Sequence, residues 1–371
     1  MNNDKKYMAR TLELAHQGRF TTPPNPNVGC VIVRDGQIVG EGFHLRSGEP
    51  HAEVHALRIA GDKAKGATVY VTLEPCSHHG KTPPCADALI AAGVSRVVAA
   101  MQDPNPQVAG RGLYKLQQAG IAVEHGLMME EAESLNRGFL KRMRTGFPYI
   151  QLKMASSLDG RTALASGESK WITSPQARDD VQKFRAQCSA ILSSSSTVLA
   201  DDPHLTVRWR ELDAETQAVY PEENLCQPVR VIVDSQNRVG PQHQVIQQPG
   251  YCWLARTKAD EHDLSENVEQ ILLPAHGIGV DLVSLMMQLG KRQINTVWTE
   301  CGALLAGALL TLGLVDELVL YVAPKVLGDT ACGLFTIPEL KNLAEAPEFD
   351  IFDVQQVGPD LRLRLRLRPV Y

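Results

Sequence analysis

The sequence lacks the features of secreted and membrane-spanning proteins. None of its 371 residues lie in an apolar run near the roughly 20 residues that a membrane-spanning helix needs. The first residues, MNNDKK, are not followed by the apolar segment of a secretory signal. The eight cysteines, at positions 30, 76, 85, 188, 226, 252, 301 and 332, do not have the spacing of a disulfide framework. We therefore expect a cytoplasmic protein with reduced thiols and no membrane partner.

The sequence also lacks an excess of positive charge. Its 37 lysines and arginines are outnumbered by 42 aspartates and glutamates, so the overall field does not favour nucleic acid. Only 5% of the residues are aromatic, which leaves few side chains for stacking on bases. The alternating run LRLRLRLR at residues 361–368 could form a basic row, but we interpret it as a strand with its leucines in the core and its arginines in solvent. No nucleic-acid partner is expected.

The length and the order of patterns predict two α/β domains. A chain of 371 residues can bury two separate cores. Strand and helix patterns alternate between residues 28 and 124, which predicts a sheet with parallel strands and helices on its faces. A long helix over residues 129–144 precedes Gly146-Phe147-Pro148, so the predicted domains are 1–146 and 147–371. Alternation resumes at Tyr149, and the polar stretch 204–228 is interpreted as a surface excursion.

One histidine, two cysteines and one glutamate form the strongest chemical motif. His51 and Glu53 begin a predicted helix, Cys76 follows a predicted strand, and Cys85 begins another helix. Zinc takes imidazole and thiolate ligands tetrahedrally, and a catalytic site leaves one position for water. The H-x-E and P-C signatures are typical of zinc-dependent nucleobase deaminases. We therefore predict that His51, Cys76 and Cys85 bind zinc, and that Glu53 moves a proton from the activated water to the leaving nitrogen.

The spacing of the two cysteines leaves alternatives open. Eight residues separate Cys76 from Cys85, where nucleic-acid deaminases usually have two. The neighbouring His55, His78 and His79 are rival ligands, and either of the last two could close the site as a structural fourth ligand. Two other functions therefore stay open: a nucleic-acid-editing zinc deaminase with a C-terminal binding domain, and a non-enzymatic, zinc-stabilised protein that senses a nucleotide.

These motifs resemble those of a known family. Residues 24–29 (PNPNVG), 51–53 (HAE) and 72–85 (TLEPCSHHGKTPPC) are similar to the deaminase half of the bifunctional riboflavin-biosynthesis deaminase/reductases, whose own form includes the eight-residue loop. The second half resembles the reductase of that family, a relative of dihydrofolate reductase, at residues 157–161, 169–173, 201–208 and 300–302. The resemblance implies an α/β protein with a cytidine-deaminase-like three-layer α/β/α domain and a dihydrofolate-reductase-like α/β domain.

The resemblance also implies two activities, a hydrolase and an oxidoreductase. The first is zinc-dependent deamination of 2,5-diamino-6-ribosylamino-4(3H)-pyrimidinone 5′-phosphate. The second is NADPH-dependent reduction of the ribosyl group to a ribityl chain, which gives 5-amino-6-(5-phosphoribitylamino)uracil. We expect one Zn²⁺ per chain, a small phosphorylated pyrimidine ribotide as partner, and a homo-oligomer, either a dimer or a tetramer. The sequence identifies no residue that must bind the 2′-phosphate of NADPH, so the residues alone do not distinguish NADPH from NADH.

Contact residues follow from the resemblance position by position. The implied NADP contacts are Ala155, Trp171, Thr197, Asp201, Ser235, Gly302, Ala303, Leu304, Leu305, Ala306, Gly307 and Ala308. The implied substrate contacts are Asn27 in the deaminase and Ser169, Arg185, Leu205, Arg208 and Glu300 in the reductase.

Residue chemistry supports some of these assignments. Arg185 and Arg208 suit a phosphate, because guanidinium makes bidentate hydrogen bonds. Gly302 before a helix allows a phosphate to approach the helix N-terminus, although the segment lacks the G-x-G-x-x-G fingerprint of a Rossmann fold. By residue type alone, Asn27 could equally stabilise its loop, and Trp171 would more often belong to a core. The role of Asp159, after a strand, stays open between a cap and an acid.

Overall fold

Two mixed β-sheets, one in each half of the chain, organise the computed structural model, which describes residues 2–78, 83–105, 109–261 and 264–368. Contacts divide the chain into two units, Met1–Gly146 and Phe147–Tyr371. Among the helices of the described ranges, none combines the length and the apolar character that a membrane crossing requires.

The first unit is built on five strands. In chain order they are β1 (Gly29–Arg34), β2 (Gln37–Phe43), β3 (Thr68–Val71), β4 (Arg96–Ala99) and β5 (Ala122–His125). Their order in the sheet is β2-β1-β3-β4-β5. The strand β1 is antiparallel to both neighbours, whereas β3, β4 and β5 run parallel, so the expectation of parallel strands holds for three of the five. The helices are α1 (Asn2–Gln17), α2 (Ala52–Ala60), α3 (Cys85–Ala91), α4 (Arg111–Gln118), α5 (Met129–Leu135) and α6 (Arg137–Thr145).

Helices cover both faces of this sheet. Cys30 and Ile32 of β1 lie in one apolar cluster with residues of α2, α3 and α4. Val31 and Val33, which alternate with them, lie in another cluster with Met8 of α1 and residues of α5 and α6. Because alternate side chains of a strand point to opposite faces, this is a three-layer α/β/α arrangement.

The predicted single helix over residues 129–144 is wrong, because α5 and α6 are separate helices that meet at Asn136. The Asn136 side chain is buried, and its amide pairs with the backbone of Asn27. Asn136 Oδ1 accepts from Asn27 N at 2.7 Å, and its Nδ2 donates to Asn27 O at 2.9 Å. A partner 109 residues away leaves no trace in a local helical pattern. This contact stabilises the break and anchors the loop before β1.

The second unit is built on a nine-stranded sheet with the order β11-β10-β9-β8-β14-β6-β15-β18-β17. Its strands in chain order are β6 (Tyr149–Ser157), β7 (Arg161–Ala163), β8 (Ala190–Ser194), β9 (Val229–Val233), β10 (Cys252–Arg256), β11 (Val268–Leu272), β12 (Ala275–His276), β13 (Gly279–Val280), β14 (Thr296–Glu300), β15 (Glu317–Ala323), β16 (Cys332–Gly333), β17 (Phe349–Val357) and β18 (Asp360–Leu367), of which β7, β12, β13 and β16 lie outside that sheet. Its helices are α7 (Pro175–Gln187), α8 (Ser195–Asp201), α9 (Ala214–Val219), α10 (Gln244–Gln247), α11 (Leu282–Lys291) and α12 (Ala303–Thr311).

Parallel pairing brings several loops of the second unit to one edge of this sheet. The strands β6, β14, β8 and β9 are consecutive neighbours and all run parallel. The carboxyl ends of β14, β8 and β9 therefore lie side by side, and the segments that follow them meet there, whereas β6 continues past Lys153, the partner of Glu300, to Ser157. In open α/β sheets this edge is where ligands bind.

The predicted orientation of the arginine row in β18 is wrong in part. Leu361 is 44% exposed, whereas Arg362 is only 7% exposed and pairs with Asp180 of α7 at 2.7 Å. Arg364 pairs with the fully buried Glu317 at 2.6 Å. The helix α7 covers this face, so these arginines pair with internal acids instead of facing solvent.

The interpretation of residues 204–228 as a surface excursion is also wrong. The segment contains α9 and short 3₁₀ turns at Trp209–Glu211 and Glu222–Asn224. Its apolar members Leu205, Val207, Leu212 and Tyr220 are buried. Their irregular spacing matches neither helical nor strand periodicity, which is why the sequence pattern did not reveal this burial.

Candidate active sites

The three predicted zinc ligands converge in the first unit. His51 precedes α2, Cys76 follows β3, and Cys85 is the first residue of α3. His51 Nδ1 lies 3.6 Å from Cys76 Sγ and 3.3 Å from Cys85 Sγ. Zn–N and Zn–S bonds of about 2.0 and 2.3 Å in a tetrahedron separate such atoms by roughly 3.5 Å. The three side chains therefore fit a zinc ion.

Glycines in β2 allow the helix that begins after His51 to lie close to the sheet. A β-carbon built on Gly40 would lie 2.2 Å from Ala56 O, and one on Gly42 would lie 2.6 Å from Ala52 O. Any larger residue at these two positions would push α2 away. The close approach of this helix sets where His51 and Glu53 lie.

Glu53 lies beside the ligands, and the salt bridges found in the described ranges of the chain do not include it. Its side chain is 3% exposed, and Oε2 has no hydrogen-bond partner among the described groups. Burial raises the pKa of Glu53, and the positive charge of His51 acts in the opposite direction. A buried carboxylate oxygen without a partner next to three metal ligands is well suited to exchange a proton with a water molecule there.

The rival histidines do not complete a fourth ligand in the described part of the chain. Within it, the group of ligand atoms close enough to share a metal ion contains His51, Cys76 and Cys85, and neither His55 nor His78. His79 lies outside the described residues.

Sequence reasoning missed the role of Glu74, two residues before Cys76. Its buried carboxylate accepts four backbone N–H bonds, from Asp103 at 3.1 Å, Gly110 at 2.9 Å, Gly112 at 2.8 Å and Leu113 at 3.3 Å. These donors include the first turn of α4, whose N–H groups have no partner within the helix. Glu74 thus joins the strand end that carries Cys76 to the start of α4. Its place in the LEPC motif beside Cys76 could have drawn attention to this glutamate. The sequence does not indicate which backbone groups it contacts.

We expect Glu74→Gln to loosen the start of α4. An amide has one acceptor oxygen, so two of the four N–H groups would face an NH₂ group, at a cost of about 1–3 kcal/mol. Amide hydrogen exchange in residues 109–118 should accelerate by about tenfold or more. Glu124→Gln, at an exposed carboxylate paired with Arg96 in the same unit, is the control and should leave that exchange unchanged. Equal exchange in both variants would contradict this role.

The Asn27 side chain is engaged within its own loop. Thr22 Oγ1 donates to Asn27 Oδ1 at 2.6 Å, and Asn27 Nδ2 donates to Leu135 O at 3.3 Å. Sequence reasoning missed a second pair in the same region, Asn25 and His44, whose Nδ2 and Nε2 atoms are 3.0 Å apart. The His44 ring packs edge-on against His51 at 5.3 Å. The substrate contact of Asn27 stays a prediction.

A charge cluster in the second unit combines Glu300, at the end of β14, with Lys153, in the middle of β6, and Arg185 of α7. Arg185 donates to both carboxylate oxygens of Glu300, at 2.6 and 2.9 Å. Lys153, which sequence reasoning missed, is the register partner of Glu300 on the adjacent strand. Burial alone would raise the pKa of Glu300, but Arg185 and Lys153 lower it to about 2. Burial lowers the pKa of Lys153. The cluster therefore places two cations and one carboxylate at the ligand-binding edge.

Three of the predicted NADP residues follow neighbouring parallel strands and so share that edge. Thr197 lies in the first turn of α8 after β8, Ser235 follows β9, and Gly302 precedes α12 after β14. No atom lies within 4 Å of a β-carbon built on Gly302, so the space before α12 is open. A helix N-terminus with open space suits a pyrophosphate. These residues fit a nicotinamide dinucleotide.

The segment after Gly302 is divided between solvent and core. Leu304 is 64% exposed, whereas Leu305 and Ala306 are buried. A β-carbon on Gly307 would lie 1.9 Å from Thr336 O, so this glycine allows close packing of α12 against residue 336. Ala303 and Ala308 lie on the same helix.

The remaining predicted residues have varied surroundings. The interpretation of Trp171 as a core residue is wrong, because it is 63% exposed, with the Arg178 guanidinium 4.2 Å from its ring. Arg208 pairs with Glu211 at 2.5 Å, and Asp201 with Lys170 at 3.6 Å. Ala155 lies on β6, Ser169 is half-buried and Leu205 is buried.

Asp159 links two loops of the second unit. Its carboxylate accepts from Ser157 Oγ at 2.5 Å and from the backbone N–H of Gly328 at 2.8 Å. The Ser157 hydrogen bond, with those from the backbone of Leu327 and Gly328, lowers the pKa of Asp159 to about 2. These contacts tie the β6–β7 turn to residues 327–328, and no helix of the described residues begins at either place, so they do not support the helix cap that was one of the two roles left open.

Comparison with known proteins identifies both halves. Residues 1–101 match the family model for the cytidine and deoxycytidylate deaminase zinc-binding region, and residues 148–363 match that for the RibD C-terminal domain. The chain is 70% identical to the riboflavin biosynthesis protein RibD of Escherichia coli over 362 residues, which cover 98% of this chain and 99% of that protein. The chain belongs to the RibD family. The RibD of Haemophilus influenzae is 55% identical over 363 residues, 98% of this chain and 97% of that protein.

Solved RibD structures have the same fold. That of Acinetobacter baumannii RibD, form 1, is 46% identical with a TM-score of 0.92, and 99% of each chain is covered. A Thermotoga maritima structure, described as a diaminohydroxyphosphoribosylaminopyrimidine deaminase/5-amino-6-(5-phosphoribosylamino)uracil reductase, is 33% identical with a TM-score of 0.86 and 99% coverage of each chain. The resemblance and the fold class predicted from the sequence are thereby confirmed.

Membership of the RibD family establishes a bifunctional enzyme of riboflavin biosynthesis. The protein is a deaminase and a reductase, with a zinc-binding deaminase domain and an NADPH-dependent reductase domain. It acts on a small molecule. Neither the nucleic-acid-editing alternative nor the non-enzymatic one is favoured.

Proposed function

We propose that residues 1–146 deaminate 2,5-diamino-6-ribosylamino-4(3H)-pyrimidinone 5′-phosphate and that residues 147–371 then reduce its ribosyl group with NADPH. The observation that carries the proposal is the group formed by His51, Cys76 and Cys85, with the partnerless Glu53 oxygen beside it. The Thermotoga maritima protein, which is 33% identical and is described as a deaminase/reductase, supports the same two steps.

In the deaminase, His51, Cys76 and Cys85 hold the zinc ion and Glu53 carries protons. When bound, zinc makes a water molecule acidic enough to lose a proton near neutral pH. Glu53 accepts that proton and delivers it to a ring nitrogen as the hydroxyl group adds to the aminated ring carbon. It then takes the second proton, from that hydroxyl group, and delivers it to the amino group, which leaves as ammonia when the C–N bond breaks. Its burial keeps the carboxylate away from bulk water, so the proton passes to the substrate. Asn27 contributes a contact to the pyrimidine through its loop.

In the reductase, Lys153 of β6 and Arg185 of α7, beside Glu300 at the end of β14, bind the ribotide. NADPH supplies the hydride when bound. Lys153 and Arg185 flank Glu300, and this cluster orients the ribosyl group and its phosphate. The remaining proposed substrate contacts are Ser169, Leu205 and Arg208. The proposed cofactor contacts are Ala155, Trp171, Thr197, Asp201, Ser235 and residues 302–308.

Two further properties complete the proposal, a cytoplasmic location and a homo-oligomeric state. None of the eight cysteines, all of which lie in the described residues, forms a disulfide, which supports a reducing compartment. The edge strand β17 and its neighbour β18 expose apolar side chains, with Ile351, Val354 and Leu361 at 58%, 55% and 44% exposure. Such a surface supports a dimer or a tetramer.

A turnover assay with the diaminopyrimidine ribotide tests both activities. Without NADPH, we expect ammonia release and a change in ring absorbance; addition of NADPH should then give nicotinamide oxidation at 340 nm. A zinc-loaded protein that releases no ammonia would contradict the deaminase assignment. Faster NADPH oxidation with a dihydropterin than with the deaminated ribotide would contradict the assignment of the reductase substrate.

A further inference from the structure

The loop after β9 presents an arginine at the edge where the reductase is proposed to bind its cofactor. Arg238 is exposed, and its Nη2 donates to Ser195 Oγ at 2.8 Å and to Ser196 Oγ at 3.3 Å. Both acceptors are neutral hydroxyls of α8. The salt bridges found among the described residues of this unit do not include Arg238. Its positive charge is therefore available to an anion.

Hydrogen bonds to the buried Asp234 side chain hold the backbone at Arg238 in place. The buried Asp234 carboxylate accepts from Arg238 N at 2.9 Å and from Val239 N at 3.2 Å. Arg256 neutralises the same carboxylate at 2.9 Å, with both side chains fully buried. Asp234 therefore fixes the position of residue 238 without compensating the charge of its guanidinium.

The position of Arg238 relative to the other proposed cofactor residues indicates which anionic group Arg238 could bind. The strand order β14-β8-β9 places the loop after β9 two strands from Gly302, roughly 10 Å away. If a dinucleotide placed its pyrophosphate before α12, its adenosine half would extend over β8 and β9 toward Thr197 and Ser235, the proposed cofactor residues that follow those strands. Ser235 and the hydroxyls of Ser195 and Ser196 flank that half. The adenosine ribose would then lie within reach of Arg238.

We propose that Arg238, with Ser195 and Ser196, binds the 2′-phosphate of NADPH and so determines the preference of the reductase for NADPH over NADH. Guanidinium offers a phosphate two parallel hydrogen bonds, and the two hydroxyls that it contacts are additional donors. The 2′-phosphate is the group that distinguishes the two cofactors. This inference rests on the proposed cofactor site, which it makes more specific.

Direct binding measurements on the full chain test the inference. Titration calorimetry would compare 2′,5′-ADP, NADP⁺ and NAD⁺ on wild type, Arg238→Gln and the control Arg292→Gln. Arg292 directly follows α11, before β14, and so lies at the opposite edge of the sheet, paired with Glu269. We expect Arg238→Gln to weaken 2′,5′-ADP and NADP⁺ by about 10- to 100-fold and to leave NAD⁺ within about twofold, because a hydrogen-bonded charged group is removed. Arg292→Gln should match wild type with all three ligands.

Each other outcome overturns the inference in a distinguishable way. If Arg238→Gln binds 2′,5′-ADP with the same affinity as wild type, Arg238 does not bind the 2′-phosphate. The proposed cofactor site is not contradicted by that result. Equal weakening of NADP⁺ and NAD⁺ would show a general disturbance of the edge and would also overturn it. If wild type binds none of the three ligands, the proposed cofactor site fails together with the inference. The NADPH/NADH ratio of kcat/KM should shift by the same factor as the binding ratio.

Discussion

Glu53→Gln is expected to abolish ammonia release and to leave the reductase active on substrate that is already deaminated. Glutamine has nearly the same shape as glutamate, so the buried position stays filled, but its amide cannot accept and return a proton. General acid–base catalysis is worth on the order of 10²- to 10⁴-fold, and two successive proton transfers depend on this side chain, so we expect the upper end. His51, Cys76 and Cys85 stay in place, and zinc binding should persist.

Three measurements on one preparation check this prediction. Zinc content by atomic absorption should stay near one ion per chain, ammonia release should fall by about 10³-fold or more, and NADPH oxidation with deaminated substrate should match wild type. Glu49→Gln, at an exposed carboxylate four residues earlier, is the control and should retain both activities. Loss of both activities in a folded, zinc-loaded Glu53→Gln protein would contradict two independent sites. Retained deamination would remove Glu53 from the proposed mechanism.

Asp234→Ala is expected to lower the free energy of unfolding of the second unit by about 3–5 kcal/mol. Arg256 and Asp234 are both 0% exposed and lie 2.9 Å apart. Removal of the carboxylate leaves a buried guanidinium, with Asp260 at 3.3 Å as its remaining acid. The N–H groups of Arg238 and Val239 also lose their acceptor. An uncompensated buried charge is far more costly than the loss of an exposed pair.

Tryptophan fluorescence during urea unfolding isolates this effect. All four tryptophans, at positions 171, 209, 253 and 298, lie in the second unit, so their signal reports its unfolding and not that of the deaminase. The control, Glu269→Ala, breaks the exposed pair with Arg292 and should cost less than about 1 kcal/mol. The double variant Asp234→Ala/Arg256→Met should be more stable than Asp234→Ala, because no charge is then left unpaired. Equal stabilities of Asp234→Ala and Glu269→Ala would contradict the prediction.

Local sequence patterns predicted most regular elements but not the places where distant side chains interrupt them. Ser174 and Pro175 predicted the start of α7, and Ser174 accepts from Ala177 N as an N-cap should. Asp35-Gly36 predicted the β1–β2 turn, and both residues have the positive φ that such a turn requires. By contrast, the break at Asn136 depends on Asn27, and the burial of Arg362 depends on Asp180 of α7. A pattern read over a few residues contains no information on such partners.

The grouping of His51, Cys76 and Cys85 near Glu53 was predictable because a metal-site motif depends on residue type and close spacing. The supporting groups were not, since their roles come from contacts made through the fold. Glu74 becomes a cap only when α4 approaches it, and Lys153 becomes a binding candidate only because Glu300 is its neighbour in register. Arg238 stands in a polar loop whose sequence does not indicate that α8 lies beside it.

By itself, the sequence determined that the chain contains a zinc deaminase motif followed by a second α/β domain, because metal ligation and periodic burial are properties of residue type and spacing. Only the tertiary structure decided which charged side chains are neutralised and which are available to a ligand. Arg256 and Arg362 pair with buried acids, whereas Arg238 contacts hydroxyls alone among the contacts described. The physical reason is that the net charge at a site depends on distances of a few ångströms between elements that lie far apart in the chain.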